Sequence, residues 1–595
     1  MNSFEKTIVV LLFVMLIAWG FYQRMFAPPA PPPGQGEEIG EVQPGSSTNA
    51  AGQVSVVATG GVGVAEIKQG NAVVESNAVE TVASASPVLP EKLVTLTNSQ
   101  VTVTLSSWGG GIKEVELKEY RESVETDSPP VILDFHDKPA FSLVGIAGMD
   151  KRSSFEVTVD GSGTNATVTA VASDGLQLIR RLTLHPGYVL KVSDTFTGPE
   201  GMKTLPRYGM NLGPMRRIKS KARTRGISYL GLDTLADQAG SEVVHWGKKE
   251  VPALFGYKRS FLSCAKQDTS SMPEDVSKNI EMPIAWGAAK NKFFAQILAP
   301  EGGAVDCELY AERSTNATSA LTMTSVSSTL FFPGREVSSG ESYTREMSYY
   351  VGPKKQSLLK DLGNRQADVM QFGWWAWFRW VCTVLITTLN AIYGVLPNYG
   401  VAIIILTILV KILFWPLTHK STESSKKMQK LQPLIAELKE KHKDQPQKMQ
   451  QAQMALYKEH GVNPLASCLP MLVQLPIFIA LFTVLRSSIE LRFANFLWIA
   501  DLSEPEGLLA GMIPIIGSLN ILPIVMTATM IMQQQLTPTT GDPQQKKMMM
   551  MMPAMMLLFF YNMASALVLY WSVSQCLSIV QLLMQRRKSK QEAGG

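Results

Sequence analysis

The sequence predicts a chain of two parts, an all-β sandwich domain followed by a polytopic α-helical membrane domain. Three observations predict it. Residues 88–352 break into short alternating segments. Long apolar runs gather at the extreme N-terminus and after Gly373. A lysine-rich loop sits among those runs, as charge does on the cytoplasmic side of a membrane protein. The chain has 595 residues, 46% of them hydrophobic and only 18% charged. A soluble chain of this size usually carries more charge.

The first apolar run is Thr7 to Phe21, between Lys6 and Arg24. It reads as a cleaved signal peptide or as an uncleaved anchor. Tyr22-Gln23-Arg24-Met25 is not a small-residue cleavage site, which favours an anchor over 1–26 with a cytoplasmic N-terminus. Residues 27–87 are rich in Pro, Gly, Ala, Ser and Gln and read as a tether.

In the β block, Val101, Val103 and Leu105 alternate with Thr102 and Thr104, as in a half-buried strand. Leu176 to Leu184, His185-Pro186-Gly187 and Tyr188 to Phe196 read as strand, turn, strand. Residues 284–298 are a further β-rich patch. The block is long enough for a sandwich of two antiparallel sheets. It shows no catalytic constellation, and His185 and His245 read as structural. Cys264 and Cys307 fall on the side where a disulfide is permitted.

The membrane part reads as spans at 400–417 and, within 466–582, at 466–489, 518–536 and a final stretch, 548–581. At ~20 residues per span that stretch is too long for one helix. Tyr561 to Ser565 divides it into two short ones. That makes five spans, and six with the anchor. Lys420, Lys426, Lys427, Lys430, Lys439, Lys441, Lys443, Lys448 and Lys458 lie within 418–465. Arg586, Arg587, Lys588 and Lys590 lie in the tail, 583–595. The positive-inside rule therefore puts this loop and both termini in the cytoplasm and the β block in the periplasm of a bacterial inner membrane. Residues 371–396 are apolar enough to span. One more span would invert the lysine loop, and Trp374, Trp375, Trp377, Arg379 and Trp380 suit a headgroup boundary. They read as an interfacial amphipathic helix.

Lys411 lies ~16 Å into the hydrocarbon at 1.5 Å per residue. A cation there costs ~2.5–3.5 kcal/mol even on the lenient insertion scale. It is too deep to snorkel easily, which points to a hydrated groove. Thr407 lies one turn earlier on its face, Gln474, Gln533, Ser572 and Gln575 supply further polar groups on the other spans, and Tyr570 is a further candidate. No intramembrane Asp or Glu is available to pair with Lys411.

In the lysine loop, Met428, Leu431, Ile435 and Leu438 form one apolar seam. Met449, Ala452 and Leu456 repeat it after Asp444-Gln445-Pro446, which predicts a cytoplasmic helical hairpin. Met548 to Met552, with Met555 and Met556, read either as lipid-facing filler or as an adaptable surface for apolar segments.

These residues resemble the YidC/Oxa/Albino insertase family, in its branch with a large periplasmic domain. The stretches IIILTILVKILFWPL (403–417), MALYKEHGVNPLASCLPMLVQLPIFIAL (454–481), WIADL (498–502), LTPTTGDPQQ (536–545) and SALVLYWSVS (565–574) carry the resemblance. It implies a five-helix core around a groove open to cytoplasm and lipid but closed toward the periplasm. It also implies a sugar-mutarotase-like sandwich with no catalytic role. Lys411 matches a groove position where arginine is usual. Thr407 and Trp571 match positions along the substrate path. Asn562 to Ser565 stands where a Pro-containing break is usual. Met471, Pro476, Met551 and Met555 fall along the path by which a substrate helix would slide into lipid. Lys427, Lys430, Tyr457 and Lys458 would be the receiving face of the hairpin.

The implied activity is insertion of nascent inner-membrane proteins, without bond chemistry and without a cofactor or metal. The implied partners are nascent membrane proteins, the Sec translocon, the ribosome and signal-recognition-particle pathway, and the phospholipid bilayer. No specific nucleic-acid sequence is expected. The competing reading is a membrane-anchored carbohydrate-binding or carbohydrate-active protein. It needs paired carboxylates or a sugar cleft, and it leaves the hairpin without a role. A solute transporter using Lys411 would need internal repeats, which the sequence lacks.

Overall fold

A computed structural model describes residues 90–198, 203–218, 229–238, 240–247, 250–257, 271–314, 321–338, 341–373, 375–442, 445–461, 469–509, 518–536 and 543–594. The expected anchor at 1–26, the linker at 27–87, Trp374, Cys264 and Cys468 lie outside them. Of the expected disulfide pair, Cys307 is described, buried and free.

Strand periodicity builds the first part. Val101, Val103 and Leu105 are fully buried within strand Val101–Ser106. The expected hairpin joins Gln177–Leu184 to Val189–Thr197, antiparallel, across His185-Pro186-Gly187. Gly187 has φ +88°, which suits glycine. A nine-stranded sheet runs in the order Val243–Trp246, Gly231–Ala236, Ile284–Lys290, Phe294–Pro300, Ser342–Pro353, Val189–Thr197, Gln177–Leu184, Asn165–Val171, Glu156–Val159. A six-stranded sheet, centred on Asp306–Arg313 and Met323–Phe332, packs against it. Leu330 of the smaller sheet reaches within 3.0 Å of the position a Cβ would take at Gly287 of the larger.

The two-sheet expectation is too simple. Among the described residues, a four-stranded sheet (93–134) and a two-stranded ribbon (203–205 with 335–337) accompany them. Alternation predicts that a strand has a buried face. It does not say which strands share a sheet.

A buried ion pair stitches this core. Arg180 and Asp194 face each other across the hairpin, both side chains at 0% exposure. The guanidinium bonds Asp194 through Nε (2.7 Å) and Nη2 (2.8 Å). Its Nη1 donates to the carbonyls of Phe141 (2.9 Å) and Gly110 (3.2 Å). Every acceptor lies close enough to hold the charge without water.

Helices follow: α1 (Glu250–Leu254), α2 (Gln356–Asp361), α3 (Ala376–Val395), α4 (Tyr399–Lys430), α5 (Gln432–Lys441), α6 (Pro446–Glu459), α7 (Leu469–Ser487), α8 (Ile521–Leu536), α9 (Pro543–Phe560) and α10 (Ser565–Gly594). Among the described residues, Ala376–Val395, Tyr399–Pro416 and Ser565–Arg587 are long and apolar enough to cross a membrane. Gln474–Ser487, Ile521–Leu536 and Met550–Phe560 are shorter apolar stretches. α10 packs on α4, α7 and α8, and α3 packs on α4 and α7.

Two helices outrun their expected bounds. α4 has 32 residues and passes from the apolar run into the hairpin without a break at 417. α10 has 30 and carries the basic tail as helix. A helix continues past the apolar stretch because lysine and glutamine are good helix formers. The break at Tyr561 to Ala564 falls where expected, but it separates helices of 18 and 30 residues rather than two short ones.

The β domain meets the bundle through a salt bridge and hydrogen bonds. Lys292 Nζ pairs with Glu504 (2.7 Å) and donates to the Ser503 carbonyl (2.9 Å). Arg486 donates to Tyr229 (2.9 Å) and Arg492 to the Glu122 carbonyl (3.1 Å). Gly400, at the start of α4, leaves room for Phe496, whose ring lies 2.1 Å from where a Cβ would be.

Removing one partner of the Arg180–Asp194 pair leaves a bare buried charge, at a cost of about 3–5 kcal/mol. Arg180→Ala should therefore strongly lower the melting temperature of the full chain in detergent. An Arg180→Met, Asp194→Leu double variant should recover much of the loss.

Lys354 is buried and donates to the Asn291 carbonyl (3.1 Å). Burial, then the charges of Lys290, Lys292 and Arg486 against Asp233, lowers its pKa to about 7. Between that value and the ordinary lysine value the unfolded chain binds more protons. Stability should rise with pH above about 7, by at most about 1.4 kcal/mol per pH unit. Unfolding followed by tryptophan fluorescence from pH 7 to 9 should show this slope, and Lys354→Met should flatten it.

Candidate functional site

α10 carries a polar stripe. Tyr570, Ser574, Ser578 and Gln581 recur at helical spacing, so they share one face. Each end of the stripe meets a different helix. Lys411 of α4 donates from Nζ to Ser578 Oγ at 2.9 Å. Ser578 in turn donates a hydrogen bond to the Ser574 carbonyl at 2.9 Å. Gln581 donates to Thr418 of α4 at 3.4 Å. One turn or more toward the other end, Gln474 of α7 donates to Tyr570 Oη at 2.5 Å.

Lys411 is half-buried, and among the described residues no carboxylate lies within ion-pair distance of it. Its partner is a neutral hydroxyl, which leaves the positive field uncancelled. Such a cation in an apolar bundle is costly and draws acidic groups.

Thr407 is buried one turn before Lys411, but its hydroxyl donates back to the Ile403 carbonyl (2.7 Å). Ser572 does the same to Val568 (2.8 Å). Both side chains keep only acceptor capacity. Trp571 packs edge-on to Phe478 (4.9 Å) and near Phe560 (5.5 Å). Its indole N–H is buried without a hydrogen-bond acceptor among the described residues. Gln575 and Gln533 are half-buried on α10 and α8.

Met551 and Met555 are 66% and 59% exposed on α9, and Pro476 is half-buried inside α7. Met471 lies in α7, and its side chain is outside the described residues. In the hairpin, Met428 and Leu431 are buried against Ile435 and Tyr457. Lys427, Lys430 and Lys458 are exposed. Of the residues expected in the groove, Tyr570, Trp571, Ser572 and Gln575 lie on α10 itself, and Lys411 and Gln474 bond to it.

Sequence reasoning missed Ser578 and Gln581. A serine in an apolar helix is an ordinary observation. Only its spacing from Tyr570 on one face would have raised it.

The chain is 34% identical over 587 residues to the "Membrane protein insertase YidC" of Pelobacter propionicus, covering 97% of this chain and 98% of that one. The chain belongs to the YidC family of membrane protein insertases. The relative in Oleidesulfovibrio alaskensis is 32% identical, over 82% of this chain and 85% of that protein. Family models agree on its two parts. "YidC periplasmic domain" matches residues 93–385 and "60Kd inner membrane protein" matches 391–592. A crystal structure titled "Active YidC insertase" covers 83% of this chain and 94% of its own, at 17% identity and a TM-score of 0.33. The family is one of insertases rather than enzymes, and it gives the carbohydrate alternative no support.

Ser578→Ala removes the only hydrogen-bond acceptor of Lys411 among the described residues. A hydrogen bond to a charged group is worth about 1.5–3 kcal/mol. The variant should melt at a lower temperature in detergent, and Ser578→Thr, which keeps the hydroxyl, should melt near the native chain.

Proposed function

We propose that the chain inserts nascent inner-membrane proteins through a polar groove formed by α4, α7 and α10, with Lys411 as its electrostatic centre. The carrying observation is the Lys411 ammonium held on Ser578 with no carboxylate in reach among the described residues. An acidic segment of a substrate tail is drawn to that charge. The polar stripe lowers the desolvation cost of moving the tail part-way across. The substrate's apolar helix then leaves along α7 and α9, past Pro476 and the exposed Met551 and Met555. A thioether surface adapts to many apolar sequences.

The proposed topology has six spans: the anchor at 1–26, then α4, α7, α8, α9 and α10 as a five-helix core. Both termini and the hairpin are cytoplasmic, and the β domain is periplasmic. α3 lies at the periplasmic interface. Its one buried face of Phe378, Cys382, Leu385, Ile386 and Leu389 supports this, as do the exposed Trp375, Trp377 and Trp380 at its start. The hairpin, with Lys427, Lys430, Tyr457 and Lys458, receives substrate near the ribosome and the signal-recognition-particle pathway. The chain works alone or beside the Sec translocon.

Purified chain in liposomes, given a single-span substrate with an acidic N-terminal tail, tests the groove. Protease protection of the tail should appear with the native chain and fall at least tenfold with Lys411→Ala. Lys411→Arg should retain it, and a tail without acidic residues should be far less sensitive to the substitution. Equal protection by native chain and Lys411→Ala would remove Lys411 from the mechanism.

A further inference from the structure

The junction between β domain and bundle holds a cavity that the groove does not use. It measures about 310 Å³ and lies among strand Ile112–Arg121, the turn between α3 and α4, and the segment from Ile489 to Phe493. Five charged residues line it: Glu119, Arg121, Lys355, Glu490 and Arg492. Among the described residues, no salt bridge joins these charges to one another.

Each charge keeps capacity in hand. Glu119 accepts one bond at Oε2 from Tyr188 (2.8 Å), and Glu490 one at Oε2 from Ser488 (2.8 Å). Arg492 donates from Nη2 to the Glu122 carbonyl (3.1 Å), and its guanidinium lies over the rings of Phe493 (4.5 Å) and Phe293 (5.5 Å). Those rings hold it in place without using its remaining donors. Cations and carboxylates that share a cavity without pairing suit a ligand carrying both signs.

The surroundings say where such a ligand would come from. Tyr393 and Tyr399 stack at 3.9 Å where α3 ends and α4 begins, and both line the cavity. A second cavity of about 380 Å³ shares Arg121 and Phe493 with the first. It is lined by Leu497 and Trp498, which are 74% and 45% exposed. Tyrosine and tryptophan at helix ends favour headgroup depth. A charged cavity beside exposed apolar side chains matches a headgroup beside its glycerol and acyl chains.

We propose that this cavity binds the headgroup of an ethanolamine phospholipid, its phosphate on Lys355 and Arg492 and its ammonium on Glu490 and Glu119. A primary ammonium donates three hydrogen bonds, and a choline headgroup donates none. The carboxylates therefore select ethanolamine over choline, and a neutral glycerol headgroup offers them no cation. The periplasmic leaflet as source rests on the topology proposed above.

Native mass spectrometry of the full chain in detergent, with equal phosphatidylethanolamine, phosphatidylcholine and phosphatidylglycerol, tests the site. The native chain should bind the ethanolamine lipid at least fivefold over each of the others. Glu490→Gln should bring ethanolamine and glycerol lipids to parity. Lys355→Gln should weaken both by threefold or more. Melting temperatures within about three degrees of native certify that both variants are folded. An absent preference, or one unchanged in both variants, overturns the proposal. Binding of soluble glycerophosphoethanolamine without binding of the lipid overturns the lipid as ligand. Detergent has no sides, so these results stand apart from topology. Labelling of Asn495→Cys in oriented membranes decides that question, and reaction only from the cytoplasmic side would overturn the leaflet assigned.

Discussion

A lysine ammonium deep in an apolar helix has to be satisfied or hydrated, and the bundle is arranged around that demand. Lys411 finds a hydroxyl on α10, and Ser578 can accept its bond because its own O–H is donated to the Ser574 carbonyl. A carboxylate in the same place would have cancelled the charge and left a structural ion pair. The neutral partner holds the side chain and keeps its field. That field is what the acidic tail of the proposed mechanism would sense.

α10 is the element through which this works. It packs on α4, α7 and α8 and presents its polar stripe to two of them. Its N-terminus is tied in turn to the β domain. Ser565 donates its N–H and its hydroxyl to the Glu504 carbonyl (2.9 and 2.8 Å), and the Glu504 carboxylate pairs with Lys292 of the β domain. Asp501 accepts the N–H groups of Phe493 (3.1 Å) and Ser503 (2.8 Å), which shapes the same loop. The β domain is therefore braced on the loop that precedes α10. It carries a core of its own around Arg180 and Asp194.

Much of this was legible in residue patterns. The strand alternation at Val101 to Leu105, the hairpin at His185-Pro186-Gly187, the hairpin seam at Met428 and Leu431 and the break after Phe560 all depend on neighbours a few residues apart. The extents of α4 and α10 were not legible. Hydropathy marks where a chain enters lipid, whereas a helix stops only where its backbone hydrogen bonds or its caps fail. The grouping of the described strands into sheets was hidden for a similar reason, since pairing partners such as Phe294–Pro300 and Ser342–Pro353 lie far apart in the chain.

The sequence by itself determined that the chain has a β part and an apolar helical part, and that Lys411 sits in an apolar run where a cation is costly. These follow from local periodicity and from transfer energies that each residue carries with it. The tertiary structure alone decided that Lys411 meets Ser578, 167 positions away, and that Gln474 meets Tyr570, 96 away. It also decided that Thr407 and Ser572 turn their hydroxyls back onto their own helices. Hydrogen-bond partners depend on which helix faces pack together and at what height. That is a property of the assembled bundle, and no local pattern encodes it.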